Sequence, residues 1–166
     1  MTENEVPLFG IVGSIFHELR TSIIYVLSAY SILDGKVPEK VAGPLEEFGK
    51  IGKKLLKEIE DDIGNLLKNI SLYSSITTSA KLRSFAINWE KDVESLSVLI
   101  NKIKALNVKL EDPLLDKILN ERLSYSLQKF TEYICYLKSI QEKDLTIKHF
   151  WYNFAIVTIR TPANDG

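Results

Sequence analysis

With a single cysteine, Cys135, in 166 residues, the chain has no intramolecular disulfide and no cluster of cysteine ligands. Its two histidines, His17 and His149, lie far apart in sequence, which argues against a zinc site. Charge of one sign is also missing: 21 basic residues face 22 acidic ones, for a net charge of −1. No strong field therefore selects nucleic acid or an anionic membrane surface. No apolar run reaches the ~18–20 residues that span a bilayer. The first residues, Met1 to Glu5, are polar and acidic, unlike a secretory leader. A reducing, cytoplasmic setting is the expectation.

Apolar residues make up 45% of the chain and charged residues 26%, a globular composition sufficient for one ordinary domain or two small ones. From about residue 8 to residue 33, Val12, Phe16, Leu19, Ile23, Val26, Tyr30 and Leu33 are spaced alternately four and three apart. That spacing predicts a helix with a packing seam. Pro7 suits its first turn, and Asp34-Gly35 is a stop signal. A second helix is expected from Pro38 or Pro44 to about Ser74, with a bent or interrupted start at Pro44. Its seam is Leu45, Phe48, Leu55, Ile59, Ile63, Leu66, Ile70 and Tyr73, with Gly52 in the gap. A link this short makes the two helices antiparallel neighbours.

Both seams are wide, extended by Ile24 and Leu27 in the first helix and by Ile51, Leu56 and Leu67 in the second. A hairpin alone cannot bury them. A two-fold homodimer would complete a four-helix bundle; alternatively, the C-terminal half of the same chain covers the hairpin. Lys50, Lys53, Lys54 and Lys57 recur on one side of the second helix. They form either a solvated face or a docking rim for an acidic partner. A turn near residue 36 sets position 17 beside about position 55, which brings the lysines level with His17.

The pattern changes at residues 76–79, a polar, small-residue stretch expected to be a linker or a break. Beyond it the expected order is a strand over residues 84–87, a helix over 90–106, a strand over 108–110 and a helix over 113–137. Two strands, 145–150 and 154–160, joined at Tyr152-Asn153, would follow. Asp112-Pro113 is a cap followed by proline at the first helical position. The order β-α-β-α-β-β predicts a sheet with helices on one face. The fold class expected is mainly α with an α+β C-terminal part, divided into a hairpin over 1–78 and an α+β domain over 79–166.

His17 stands in the run Phe16-His17-Glu18-Leu19-Arg20-Thr21-Ser22. The run resembles the phosphoacceptor motif of the two-component histidine kinases, His-Glu-Leu-Arg-Thr-Pro; five of six positions match, with Ser22 in place of the proline. The resemblance implies a dimerisation and phosphotransfer hairpin followed by a truncated or degenerate ATPase-like domain. It makes His17 the nucleophile and phosphoryl carrier, with Glu18 orienting its ring. Thr21 matches a position that helps hold a hydrolytic water, and Arg20 either pairs with Glu18 or approaches the phosphoryl group. With Lys50, Lys53, Lys54 and Lys57, Arg20 would form the partner-binding set. The partner implied is a response-regulator receiver domain, which supplies the aspartate and Mg2+. His149, in an aromatic run, reads as a strand or turn residue.

A kinase of that family needs two asparagines four apart for Mg-ATP. The candidate helix offers Glu121 with Tyr125, Asn120 with Ser124, or Arg122 with Ser126, and none supplies both amides. Thr161 stands where the family places its adenine-reading aspartate. ATP-driven autophosphorylation by this chain alone is not expected, and neither a cofactor nor a metal is assigned to it. The layout resembles the histidine phosphotransferases. The expected function is a phosphorelay carrier exchanging a phosphoryl group between His17 and a receiver aspartate. The alternatives are a histidine kinase or a fragment of one, and a non-catalytic receiver-binding scaffold.

Overall fold

Helical periodicity runs through nearly all of residues 5–146, the part of the chain that the computed structural model describes. Helix α1 is Glu5–Leu33. Its predicted seam faces inward: Val12, Leu19, Ile23, Val26, Tyr30 and Leu33 are buried, and Phe16 is half-buried. The helix ends where expected. Gly35 has φ +76°, a left-handed conformation that disfavours a side chain by roughly 1–2 kcal/mol. Helix α2, Glu39–Lys68, follows after a short link. It continues through Pro44 without a break. The bond lost there is the one to the carbonyl of Lys40, an exposed residue near the helix start that water can serve.

A 3-10 turn, Ile70–Leu72, leads into α3, Ser75–Ala105. The Ser74 hydroxyl caps α3 by accepting from the Thr77 N–H at 3.1 Å. The fourth helical column has two parts: α4 is Pro113–Lys117, a π-helical turn spans Ile118–Arg122, and α5 is Leu123–Lys138. Asp112 caps it, accepting from the N–H groups of Leu114 at 2.9 Å and Leu115 at 3.3 Å. A 3-10 turn over Glu142–Leu145 closes the described chain.

The columns pack in a ring: α1 on α2, α2 on α3, α3 on α5 and α5 back on α1. This is an up-down-up-down bundle built within one chain. Phe48, Trp89 and Phe130, from three different helices, are fully buried in its single core. The Trp89 indole N–H donates to Asp62 Oδ2 at 2.9 Å, tying α3 to α2. The Arg83 guanidinium donates to the Ile140 carbonyl at 2.7 Å, and Lys138 pairs with Glu90. No helix among the described residues is long and apolar enough to cross a membrane.

The C-terminal half departs from the expected α+β layer, and no strand occurs among the described residues. The linker expected at 76–79 is the first turns of α3. Thr78 and Ser79 are buried there and begin the inward stripe that Leu82, Ala86, Trp89 and Val93 continue. The strand expected at 84–87 lies mid-helix, where Ile87 is 57% exposed and Phe85 stacks on Trp89 with ring centroids 5.9 Å apart. Residues 108–110 form an irregular connection, held by the α4 side: Asp116 Oδ1 accepts from the Leu110 N–H at 2.8 Å, and Asn120 donates to the Val108 carbonyl at 3.1 Å. The boundary expected at 78/79 falls inside α3. The hairpin is covered by its own C-terminal half, which removes the reason given for a homodimer. The expected strands 145–150 and 154–160 lie outside the described residues, except for Leu145 and Thr146, which belong to the final 3-10 turn and the bend after it.

Contact between α1 and α2 depends on glycine. A Cβ at residue 49 would lie 2.3 Å from the Tyr30 ring, whereas one at Gly64 would meet nothing within 4 Å. Gly49→Ala is therefore expected to destabilise by about 1–2 kcal/mol, because overpacking outweighs the gain in helix propensity. Gly64→Ala should stabilise by about 0.5–1 kcal/mol; urea unfolding of both variants checks the opposite signs. Burial, then Asp34 and Glu46, push the Tyr30 phenol above its usual 10.0, against an opposing effect of Lys50. The folded state thus keeps this proton when the unfolded chain releases it, so stability falls as pH rises above about 10. Lys54, raised chiefly by Asp92, and Lys138, raised chiefly by its hydrogen bond to Glu90, act in the same direction. Tyr30→Phe should flatten, without abolishing, the alkaline decline of the urea midpoint.

Candidate functional site

Successive residues of a helix point about 100° apart, so the motif on α1 is divided among different surroundings. His17 is exposed, on the face opposite the buried Leu19 and Val26. Its ring is open to a partner from solvent. Glu18 turns toward α5, where its Oε2 accepts from the Tyr133 hydroxyl at 3.4 Å. Arg20 turns the other way, and its Nε donates to Glu60 Oε2 of α2 at 2.9 Å. The pair is half-exposed and worth at most about 1 kcal/mol. Of the two roles open to Arg20, pairing with Glu18 is not the one adopted. Thr21 is half-buried and Ser22 is buried.

The predicted lysine rim lies elsewhere along α2. Gly49 lies against Tyr30 and Gly52 against Leu27, and with Arg20 on Glu60 these contacts fix the register. His17 falls level with about Ile63, roughly 12 Å along the axis from Leu55 at ~1.5 Å per residue. The expected pairing of 17 with 55 placed the turn symmetrically about residue 36. The contacts of Tyr30 with Gly49, Leu27 with Gly52 and Arg20 with Glu60 instead centre the pairing near residues 39–40. The acidic run Glu60-Asp61-Asp62 therefore stands at the level of His17, in place of the lysines. Lys54 reaches α3, 3.6 Å from Asp92, and also pairs with Glu58 at 3.4 Å. Lys53 lies over the Tyr30 ring at 5.4 Å, Lys50 pairs with Glu46 at 3.7 Å, and Lys57 is exposed.

Beside the motif, α1 and the α5 column enclose a cleft of about 350 Å³. Glu18, Thr21, Ser22 and Tyr25 form one wall. Arg122, Tyr125, Ser126, Lys129 and Tyr133 form the other. The second wall repeats every three or four residues, a helical stripe that is visible in sequence once α5 is known to face α1. The π-turn ends at Arg122, and such turns often mark functional sites. Among the described residues, no group of three or more His, Cys, Asp or Glu side chains is arranged to hold a metal ion. Asn120, the one asparagine offered by the three candidate registers, donates to the Val108 carbonyl and to Asp116.

Ser22 Oγ is buried without a hydrogen-bond partner among the described residues. An unsatisfied buried hydroxyl costs about 1–3 kcal/mol, and alanine also favours the helix. Ser22→Ala is expected to raise stability by about 1–2 kcal/mol, read from urea midpoints.

No family model matches the chain, and neither a curated protein nor a solved structure matches it.

Proposed function

We propose that the chain is a phosphorelay carrier that holds a phosphoryl group on His17 and exchanges it with the aspartate of a response-regulator receiver domain. The observation that carries this reading is the exposed ring of His17 at the centre of the outward face of α1, within the run Phe16 to Thr21. In the step, a free imidazole nitrogen attacks the phosphorus of the receiver's aspartyl phosphate. The phosphorus–oxygen bond to that aspartate breaks, and the carboxylate leaves with the electron pair. Histidine suits this step because an imidazole nitrogen with a free lone pair is a nucleophile.

Access alone meets the geometric need, since the receiver brings the aspartate and the Mg2+ ion. One chain suffices, because the bundle closes on itself. The setting proposed is cytoplasmic, where receiver domains are met. In this reading Glu18 keeps its long hydrogen bond from Tyr133 on Oε2, and its second carboxylate oxygen accepts from the His17 ring and orients it. In this reading Arg20 is held by Glu60 and acts on the bundle, while the exposed Lys57 is left to favour an acidic partner farther along α2.

A receiver domain charged with radiolabelled acetyl phosphate provides the test. Transfer should place acid-labile label on this chain, and His17→Ala should abolish it. Arg20→Ala should leave it largely intact, while labelled ATP alone gives none. Absence of transfer from every receiver tried, or transfer that survives His17→Ala, contradicts the reading. Receiver binding without labelling, retained in His17→Ala, selects the scaffold in its place.

A further inference from the structure

We infer that the cleft between α1 and α5 is a binding site for a small aromatic carboxylate, a role that does not depend on phosphate transfer at His17. At about 350 Å³ the cleft sits at the small end of the ~300–1,000 Å³ typical of ligand pockets. Its lining combines flat apolar surface with a few polar groups. Tyr25, Tyr125 and Tyr133 supply the rings, and Arg122 and Lys129 supply two positive charges. One carboxylate, Glu18, faces them, leaving one positive charge in excess. No ion pair is formed by Arg122 or Lys129 among the described residues.

The buried Ser22 hydroxyl is the second, independent sign of a ligand. It lines the cleft and has no partner, although such a group is normally satisfied. The Glu18–Tyr133 contact fixes the antiparallel register. One turn on from Glu18 along α1 comes Ser22, and one turn back from Tyr133 along α5 comes Lys129. A carboxylate near mid-cleft would then meet an ammonium and a hydroxyl donor together. Arg122 adds a planar fork two turns from Lys129, able to bind a carboxylate in bidentate fashion or stack on a ring. The ligand's ring would lie among the tyrosines, offset-stacked or edge-on.

Titration of the isotope-labelled protein with benzoate and with indole-3-acetate, followed by backbone amide NMR, tests the site. Benzamide, an uncharged isostere, and acetate, which lacks a ring, serve as controls. Saturable shifts at millimolar or lower aromatic acid, centred on residues 18–25 and 122–133, are expected, with both controls much weaker. Lys129→Gln and Arg122→Gln should each weaken binding about tenfold, the scale of one lost charge-assisted hydrogen bond. Ser22→Ala should weaken binding several-fold while the fold is retained, as judged by unchanged helicity. The inference is overturned if neither acid binds saturably, if benzamide binds as well as benzoate, or if binding by Lys129→Gln and Arg122→Gln, both folded, is unchanged. A failed His17 transfer assay leaves these outcomes untouched, since none of the probes reports on phosphate.

Discussion

Helix α1 carries an apolar seam from Leu8 to Leu33 that must be taken out of water, and α2 covers only one flank of it. The other flank is covered by α5. Burying a Leu- or Ile-sized side chain is worth ~1.5–3 kcal/mol, so Leu19, Ile23 and Val26 together outweigh any polar preference of their neighbours. Everything else near the motif follows from this burial. It turns His17 outward, sends Glu18 and Ser22 toward α5, and sends Arg20 to Glu60 on α2. The motif is contiguous in sequence, yet its members serve three different surroundings.

The hairpin was legible because its signals are local. A regular seam, Asp34-Gly35 at the stop and a short link are enough to define α1 and α2. The second half misled for a physical reason. Thr78 and Ser79 occupy buried positions on α3 although they are polar, so the apolar period in the sequence begins only at Leu82. Ile87 is apolar yet exposed, which makes the stretch 84–87 look like a strand. The Asp112-Pro113 cap was legible and stands as read.

The site divides in the same way. That the ring of His17 meets water follows from its place off the seam. The lysine rim did not fall beside it, because register between two helices depends on which side chains interlock. Tyr30 on Gly49 decides that here, and neither residue declares the contact in sequence. The cleft with Arg122, Lys129 and Tyr133 needed the fold, since its two walls lie about a hundred residues apart. What the bundle offers a partner is a bare histidine on one face of α1 and a charged, aromatic cleft on the next.

The most direct test of this account is whether α5 of the same chain covers α1. Spin labels at exposed positions 28 on α1 and 121 beside α5, introduced by Ser28→Cys and Glu121→Cys with Cys135→Ser, measure it. Neighbouring helix axes lie about 10 Å apart, so with the label arms a separation on the order of 20 Å is predicted. It should persist when labelled protein is diluted in excess unlabelled chain. A distance that vanishes on dilution, or one far longer than the bundle's width, would show that another chain covers the seam.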